Sequence, residues 1–328
     1  DLDEFMQQHH SLQKYEYEFI LHDDDKILFL PRYFLEKYPF HNSMLHVDKQ
    51  FEMQKIDIEF NGELRDEQIP AVGHFVKEYF REGYTAGILQ ARPGFGKTVC
   101  GSFLASEFKL KTLIILDNSK LVEQWKEAFI NFTNLTEDDI GMIQGKKLET
   151  DKPIGIAMVQ TLMSKVKRDL KAFYTEIRDA GYGLVLYDEV HKTSSAPKFA
   201  MSSLVLNTKN VIGLSATPFA NDVNKILLEN TIGKINYKCK NYELVPIVKS
   251  IIYDSYLDEN AVKRFFMNRD YIKQIAFYNS VIADSDAYIN VITDIAKEVF
   301  EDKNRRLLVL VSTVKQLNKV VDQLNFEG

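Results

Sequence analysis

Cysteine occurs only twice in 328 residues, at Cys100 and Cys239. Two thiols so far apart give neither a disulfide framework nor the ligand spacing of a cysteine zinc site, and both read as reduced. Long apolar runs are missing as well: stretches such as LLVLV at 307–311 fall far short of the roughly 18 residues a membrane span needs. Positive charge is not in excess, since 41 Lys and Arg against 47 Asp and Glu leave a formal net charge of −6. A protein that coats nucleic acid through bulk charge is thereby excluded, while a local basic groove is not. No internal repeat or low-complexity tract stands out. His9 and His10 have no partners at ligand spacing, and HDDDK at 22–26 lacks the oxygen register and closing Glu of an EF-hand, so all of these read as solvated. What is present is the composition of an ordinary folded chain, 45% hydrophobic and 27% charged, and its length exceeds one usual core.

The pattern changes twice along the chain. YEYEFIL (15–21) alternates aromatic and acidic residues, HDDDK supplies a turn and ILFL (27–30) returns, which predicts a β-hairpin. Pro31 then opens a short helix, PRYFLEKY, and MQKIDIEF (53–60) reads as a strand before the Asn61-Gly62 turn. Residues 1–60 are expected to form a small α+β module whose aromatic residues make its core rather than a base-stacking surface. From Leu64 onward, helices alternate with continuous apolar runs: AGIL (86–89), TLIIL (112–116), IGIAMV (154–159), GLVLY (183–187) and NVIGLS (210–215). Helix-length segments at 98–108, 119–131, 161–180 and 197–205 lie between them. Strands without alternation are buried on both faces, and intervening helices imply right-handed crossovers in a mostly parallel sheet. The strands IVKSIIY (247–253) and RRLLVLVS (305–312) then mark a second α/β domain. Its helices are expected from Glu259 to 301, broken near ADSD, and from Thr313 to Leu324. The expected boundaries are 1–60, 61–238 and 239–328.

ARPGFGKTVC, at 91–100, follows the first strand of that sheet and satisfies the pattern [AG]-x-x-x-x-G-K-[ST] with Ala91, Gly96, Lys97 and Thr98. Such a loop directs backbone N–H groups at one anion at the positive end of the next helix. Lys97 then reaches the β/γ-phosphates and the Thr98 hydroxyl binds Mg²⁺. GLVLYDEVHK, at 183–192, ends a buried strand with Asp188 and Glu189. Ligands of parallel sheets sit beyond the carboxyl ends of the strands, so this pair should converge on the loop. Asp188 suits the Mg²⁺ shell and Glu189 the water that attacks a γ-phosphate. Trp125, on the helix face that carries Leu121 and Val122, reads as core.

With GLSATPF (213–219) after the next strand, the ordered set resembles superfamily 2 helicases and translocases, the DExH group, in the ResIII and XPB-like branch that includes phage UvsW-type DNA helicases. The resemblance covers about 60–328. It implies two RecA-like parallel-sheet domains, the second incomplete in this chain, behind the small N-terminal module. LRDEQ (64–68) is similar to the family's adenine-reading motif, LDNSKLVEQW (116–125) to motif Ia, AMVQTL (157–162) to motif Ic and LVSTVKQL (310–317) to motif IV. By that resemblance Arg65 and Gln68 meet the adenine end, and Gly94, Phe95, Gly96, Lys97 and Thr98 cradle the phosphates. Thr98 and Asp188 hold Mg²⁺, partly through water. Lys97, Asp188, Glu189 and His191 are the catalytic set, and His191 with Ser215, Ala216 and Thr217 couples nucleotide state to nucleic-acid grip. Ser119, Lys120, Gln160 and Thr161, with Ser312 and Thr313, are candidates for a strand backbone. For Ser119 and Thr313 helix capping is an equal alternative.

The implied activity is an ATP- and Mg²⁺-dependent DNA helicase or translocase that remodels forks or branched junctions. A monomer is expected, with DNA rather than RNA as partner, no membrane, and a bacterial or phage-infected cytoplasm as its setting. The rivals are the translocating subunit of a restriction system, an RNA helicase and a nucleotide-gated binding scaffold. A P-loop kinase would leave DEVH and SATP unexplained. The family's arginine-bearing motif has no candidate after Thr313, so the natural protein is expected to continue past Gly328 by on the order of 100 residues.

Overall fold

The computed structural model describes residues 20–22, 27–29, 52–190, 202–203, 206, 208–219, 222–239, 260, 263, 267, 274, 285–301 and 306–324. The expected helix PRYFLEKY, the strand IVKSIIY and His191 lie outside the described residues. The chain divides into two compact units, Asp1–Glu243 and Leu244–Gly328.

In the first unit the expected hairpin is present, with β1 (Ile20–His22) antiparallel to β2 (Ile27–Phe29) and Ile20 opposite Phe29. The main sheet has eight strands in the order β10-β3-β9-β8-β4-β7-β5-β6. Its strands are β3 (Ala86–Gln90), β4 (Thr112–Leu116), β5 (Ile140–Gln144), β6 (Lys147–Leu148), β7 (Ile154–Met158), β8 (Leu184–Asp188), β9 (Asn210–Ser215) and β10 (Ile235–Lys238). Every pairing is parallel except the β5–β6 hairpin. The helices are α1 (Gln68–Glu82), α2 (Lys97–Phe108), α3 (Lys120–Phe132), α4 (Val159–Arg168), α5 (Leu170–Asp179) and α6 (Asp222–Thr231).

Two-sided burial follows directly from the apolar runs. Ile114, Leu116, Leu184, Leu186, Ile212 and Leu214 pack with α1, α2 and α3 on one face. Their neighbours in sequence, Leu113, Ile115, Val185, Tyr187 and Val211, pack with α4, α5 and α6 on the other. Each fully buried large apolar side chain contributes about 1.5–3 kcal/mol. The single helix expected over 161–180 is two: the chain breaks at Asp169, whose carboxylate accepts the Ala172 N–H at 2.9 Å and caps α5.

The strand expected at 53–60 does not form. The segment makes only two isolated bridges, Lys55 to Leu110 and Phe60 to Thr133. It is nonetheless laced to the sheet's amino-terminal rim, where Gln54 N–H donates to Gly181 O, Lys111 N–H to Gln54 O and Ile56 N–H to Lys109 O. Ile58 is fully buried in the core. An extended chain with alternating polarity has the look of a strand, but here no neighbour supplies a continuous ladder.

In the second unit the described residues include α7 (Asp286–Phe300) and α8 (Val314–Leu324). At ADSD a helix begins: the Ser285 hydroxyl accepts the Tyr288 N–H at 3.3 Å and caps α7, while the stretch before Ser285 lies outside the described residues. The strand expected at 305–312 is absent over 306–311, where Leu308 and Leu310 are 80% and 81% exposed. No strand lies beside it among the described residues, and an apolar run without a ladder partner has nothing to hold it extended.

A close approach inside the sheet yields a test. A Cβ on Gly155, in β7, would come within 2.4 Å of the Tyr182 hydroxyl oxygen, and Tyr182 is itself 1% exposed. Gly155→Ala is expected to cost about 1–3 kcal/mol through overpacking, measured by urea unfolding.

Candidate nucleotide and nucleic-acid site

The parallel register brings three loops to one rim. Asp188 at the end of β8 lies opposite Leu214 of β9, and Leu214 lies opposite Leu89 of β3. One residue further, Ala91 N–H donates to Ser215 O at 3.0 Å, and the Gln90 side chain donates to Ala216 O at 3.2 Å. Thr217 N–H donates to the Ser215 hydroxyl at 3.2 Å. The loop 91–98, the Asp188-Glu189 pair and Ser215, Ala216 and Thr217 are thus neighbours.

Gly94 and Gly96 take φ of +75° and +82°, values open to glycine at little cost. Gly96 also lacks room for a side chain: a Cβ would come within 2.5 Å of the Gln68 amide nitrogen. Gln68, 2% exposed, donates to Phe95 O at 2.8 Å and accepts the Arg65 N–H at 2.8 Å. The Arg65 guanidinium donates to the carbonyls of Gly94, at 3.1 Å, and of Phe95. Glu67 holds the arrangement from beside it, 2.8 Å from Arg92 and 3.5 Å from Arg65. Lys97 and Thr98 open α2 immediately after the loop, and the Lys97 ammonium reaches Ala91 O at 3.4 Å.

Thr98 and Asp188 are each 7% exposed. The Thr98 oxygen accepts from the Gln124 amide at 2.9 Å, and the Asp188 carboxylate accepts from the Trp125 indole N–H and from Glu189 N–H, both at 2.9 Å. Burial pushes the Asp188 carboxyl above its ordinary range, and the Trp125 hydrogen bond pulls it part of the way back. Glu189 has φ of +51°, a left-handed conformation uncommon for a side chain of its size. Hard oxygen donors on a hydroxyl and a buried carboxylate, next to a glycine cradle, fit Mg²⁺ bound together with phosphate. Among the described residues no group of three or more His, Cys, Asp or Glu could hold a metal ion by itself.

The candidate strand contacts of the first unit fall beside this site, at the ends of β4 and β7. Ser119, Gln160 and Thr161 line an open cavity of about 470 Å³ with Asp117, Asn118, Gln144 and Met158. Gln160 donates to Asp117 O at 2.9 Å, the Thr161 hydroxyl accepts Gly145 N–H at 3.0 Å, and Lys120 is exposed at the start of α3. Ser119 makes no side-chain cap; Asn118 accepts the Lys120 N–H instead. Thr313 does cap, accepting Gln316 N–H at 3.1 Å while the Gln316 side chain accepts from Ser312 and Thr313 N–H. Sequence reasoning passed over Glu67, Gln90, Arg92 and Gln124 and took Trp125 for core alone. Trp125 is fully buried, as expected, yet it also donates to the central carboxylate. All of these but Gln90 sat inside a motif named from the sequence, LRDEQ, ARPGFGKTVC or LDNSKLVEQW.

A glycine loop between a parallel strand and its helix, with a carboxylate pair at a nearby strand end, is the layout of a P-loop α/β domain. Residues 61–220 match the family model described as ResIII, the Type III restriction enzyme res subunit, and over this segment the chain is similar to XPB-like helicases. A putative DNA 3'-5' helicase Rad25 of Halobacterium salinarum is 32% identical over 153 residues, which are 47% of this chain and 24% of that protein. A putative ATP-dependent RNA helicase, L396, of Acanthamoeba polyphaga mimivirus is 26% identical over 287 residues, 85% of this chain and 52% of that one. Among solved structures the UvsW helicase from bacteriophage T4 matches 56% of this chain and 64% of its own at 20% identity, with a TM-score of 0.41. The chain thus spans about a quarter and about half of the two curated relatives.

The raised Asp188 pKa makes a stability prediction for the metal-free chain. A carboxyl whose folded pKa lies above its unfolded value favours folding below the unfolded value, and that contribution is lost as pH rises through the folded one. The charged form of Asp188 is therefore a net cost to the fold. Asp188→Asn removes that charge but also one of the two oxygens that accept from Trp125 and Glu189 N–H, so the Tm of the variant relative to the parent should rise as pH increases in metal-free buffer. A Tm difference that does not change with pH, or that falls as pH rises, would contradict this account.

Proposed function

We propose that this chain carries the nucleotide-driven part of an ATP- and Mg²⁺-dependent motor that moves on DNA. The observation that carries the reading is the convergence of Lys97, Thr98, Asp188, Glu189 and Ser215 on one rim, with Arg65 and Gln68 docked on the phosphate loop. Gln68 carries both an amide donor and an amide acceptor, the pairing that an adenine edge requires, and in this structure they are engaged by Phe95 O and the Arg65 N–H. The loop N–H groups and Lys97 hold the β/γ-phosphates. Bound Mg²⁺ would neutralise charge between those phosphate oxygens. Thr98 and Asp188 would hold that ion. Glu189 orients the attacking water and takes its proton.

The polar cavity at Ser119, Gln160 and Thr161, with Lys120 beside it, supports backbone contacts to a nucleic-acid strand, the kind of contact that fixes register without reading sequence. Work on forks or branched junctions is our reading of the motif variants. RNA is the second reading, favoured by the likeness to a viral protein described as an RNA helicase. ATP turnover compared on single-stranded DNA, junction DNA, duplex DNA and RNA separates the two.

Two substitutions divide binding from chemistry. Lys97→Ala removes the charge that meets the phosphates and should lower ATP affinity and nucleic-acid-stimulated turnover by at least about 100-fold. Near-normal turnover in that variant would sink the nucleotide assignment. Glu189→Gln should bind ATP as the parent does while losing about 10²–10⁴ in turnover, the usual worth of a general base. Unchanged turnover would move the water-handling role to another residue.

A further inference from the structure

Two residues of α3 touch the proposed metal site. From consecutive positions, the Gln124 amide donates to the Thr98 oxygen at 2.9 Å and the Trp125 indole to Asp188 at 2.9 Å. One turn earlier the same helix begins with Ser119 and Lys120 at the polar cavity, and a turn spans about 5.4 Å. The indole is fully buried and wedged over α2, where a Cβ on Gly101 would come within 2.7 Å of its ring. On its far side it meets Phe129 of α3, with centroids 6.2 Å apart. α3 therefore cannot slide along its axis or roll without stretching both hydrogen bonds, which weaken steeply with distance and angle.

We propose that α3 is a rigid lever between strand contact and metal binding, with Gln124 and Trp125 as positioning residues that hold Thr98 and Asp188 in the geometry a cation needs. Gln124 takes one lone pair of the Thr98 hydroxyl and leaves the other for a ligand. Trp125 and Glu189 N–H take one lone pair on each Asp188 oxygen, which fixes the orientation of the carboxylate. A strand seated at Ser119 and Lys120 displaces the helix start, and the displacement reaches both metal-site residues within two turns. The inference rests on the nucleotide reading of the site.

The chain supplies its own reporter, because Trp125 is its single tryptophan among 16 tyrosines. Emission of the 328-residue chain, excited at the red edge beyond tyrosine absorption, is recorded with ADP and MgCl₂, with ADP and EDTA, and with single-stranded oligothymidylate alone. The Mg²⁺ and oligothymidylate additions should each change the emission, and ADP with EDTA should not reproduce the Mg²⁺ response. Calorimetry should show that Gln124→Leu needs about tenfold more Mg²⁺ for ADP binding, the worth of one neutral amide-to-hydroxyl hydrogen bond, with ADP affinity in EDTA unchanged. Trp125→Phe should behave alike, and Gln124, being exposed, gives a variant whose folding is not at issue. Emission indifferent to either addition, while calorimetry records Mg²⁺–ADP binding, overturns the lever and leaves the nucleotide reading standing. No Mg²⁺–ADP binding by the parent chain overturns both. An equal loss of ADP affinity with and without Mg²⁺ in Gln124→Leu reduces the contact to packing and also overturns the proposal.

Discussion

Parallel pairing of β3, β9 and β8 is the constraint on which the site depends. Strands that run the same way deliver their following loops to the same rim, so the phosphate loop, the Asp188-Glu189 pair and Ser215 meet although some 120 residues separate the first from the last. The same pairing demands that each strand be covered on both faces. Helices α1, α2 and α3 cover one and α4, α5 and α6 the other. The start of α2 is thereby fixed at the loop, where its unpaired N–H groups favour an anion.

What was legible in the sequence was what local chemistry alone decides. The five central strands announce themselves as apolar runs because burial on both faces allows nothing else, and the phosphate loop because Gly94 and Gly96 need left-handed backbone. Strands β5, β6 and β10 escaped for the opposite reason. IGMIQ, KL and INYK lie toward or at the sheet margins, keep polar residues and carry no long apolar run. The segments at 53–60 and 306–311 erred the other way, since each has a strand's pattern and neither has a ladder partner among the described residues. Polarity fixes which side of a chain is buried; only a neighbour makes it a strand. In the candidate site the motif residues could be named from the sequence, but not the groups that hold them. The bonds from Gln124 to Thr98 and from Trp125 to Asp188 span 26 and 63 residues, and no local signal records them.

The rim is also where the fold accepts unfavourable local choices. Asp188 is buried with its carboxyl pushed toward the neutral form, Glu189 stands in a left-handed conformation, and Gly96 sits where no Cβ fits. Lys109, the other non-glycine with positive φ among the described residues, caps α2 at the end away from the loop. Strain gathered at one end of three adjacent strands is typical of a site whose geometry is held by the surrounding packing. The buried thiols contrast with it. Burial pushes Cys100 to about 12 and Cys239 to about 11, so both stay protonated and unreactive in a fold that uses them as small apolar groups.

The laced segment at 52–61 acts as a belt on the rim opposite the phosphate loop. Its bonds run to Lys109, Lys111, Gly181, Phe132 and Asn134, residues that border β4, β8 and the end of α3, and the Lys111 ammonium adds a 2.9 Å bond to the Gln54 side chain. A belt of this kind separates attachment from chemistry: load applied to the chain before Glu52 is borne by backbone bonds at the floor of the sheet, away from the carboxyl ends that hold the site. It also sets where the domain can be excised. A cut between 60 and 61 would strip Ile58 from the core and unbuckle the floor, whereas a chain that begins at Glu52 keeps every one of these bonds.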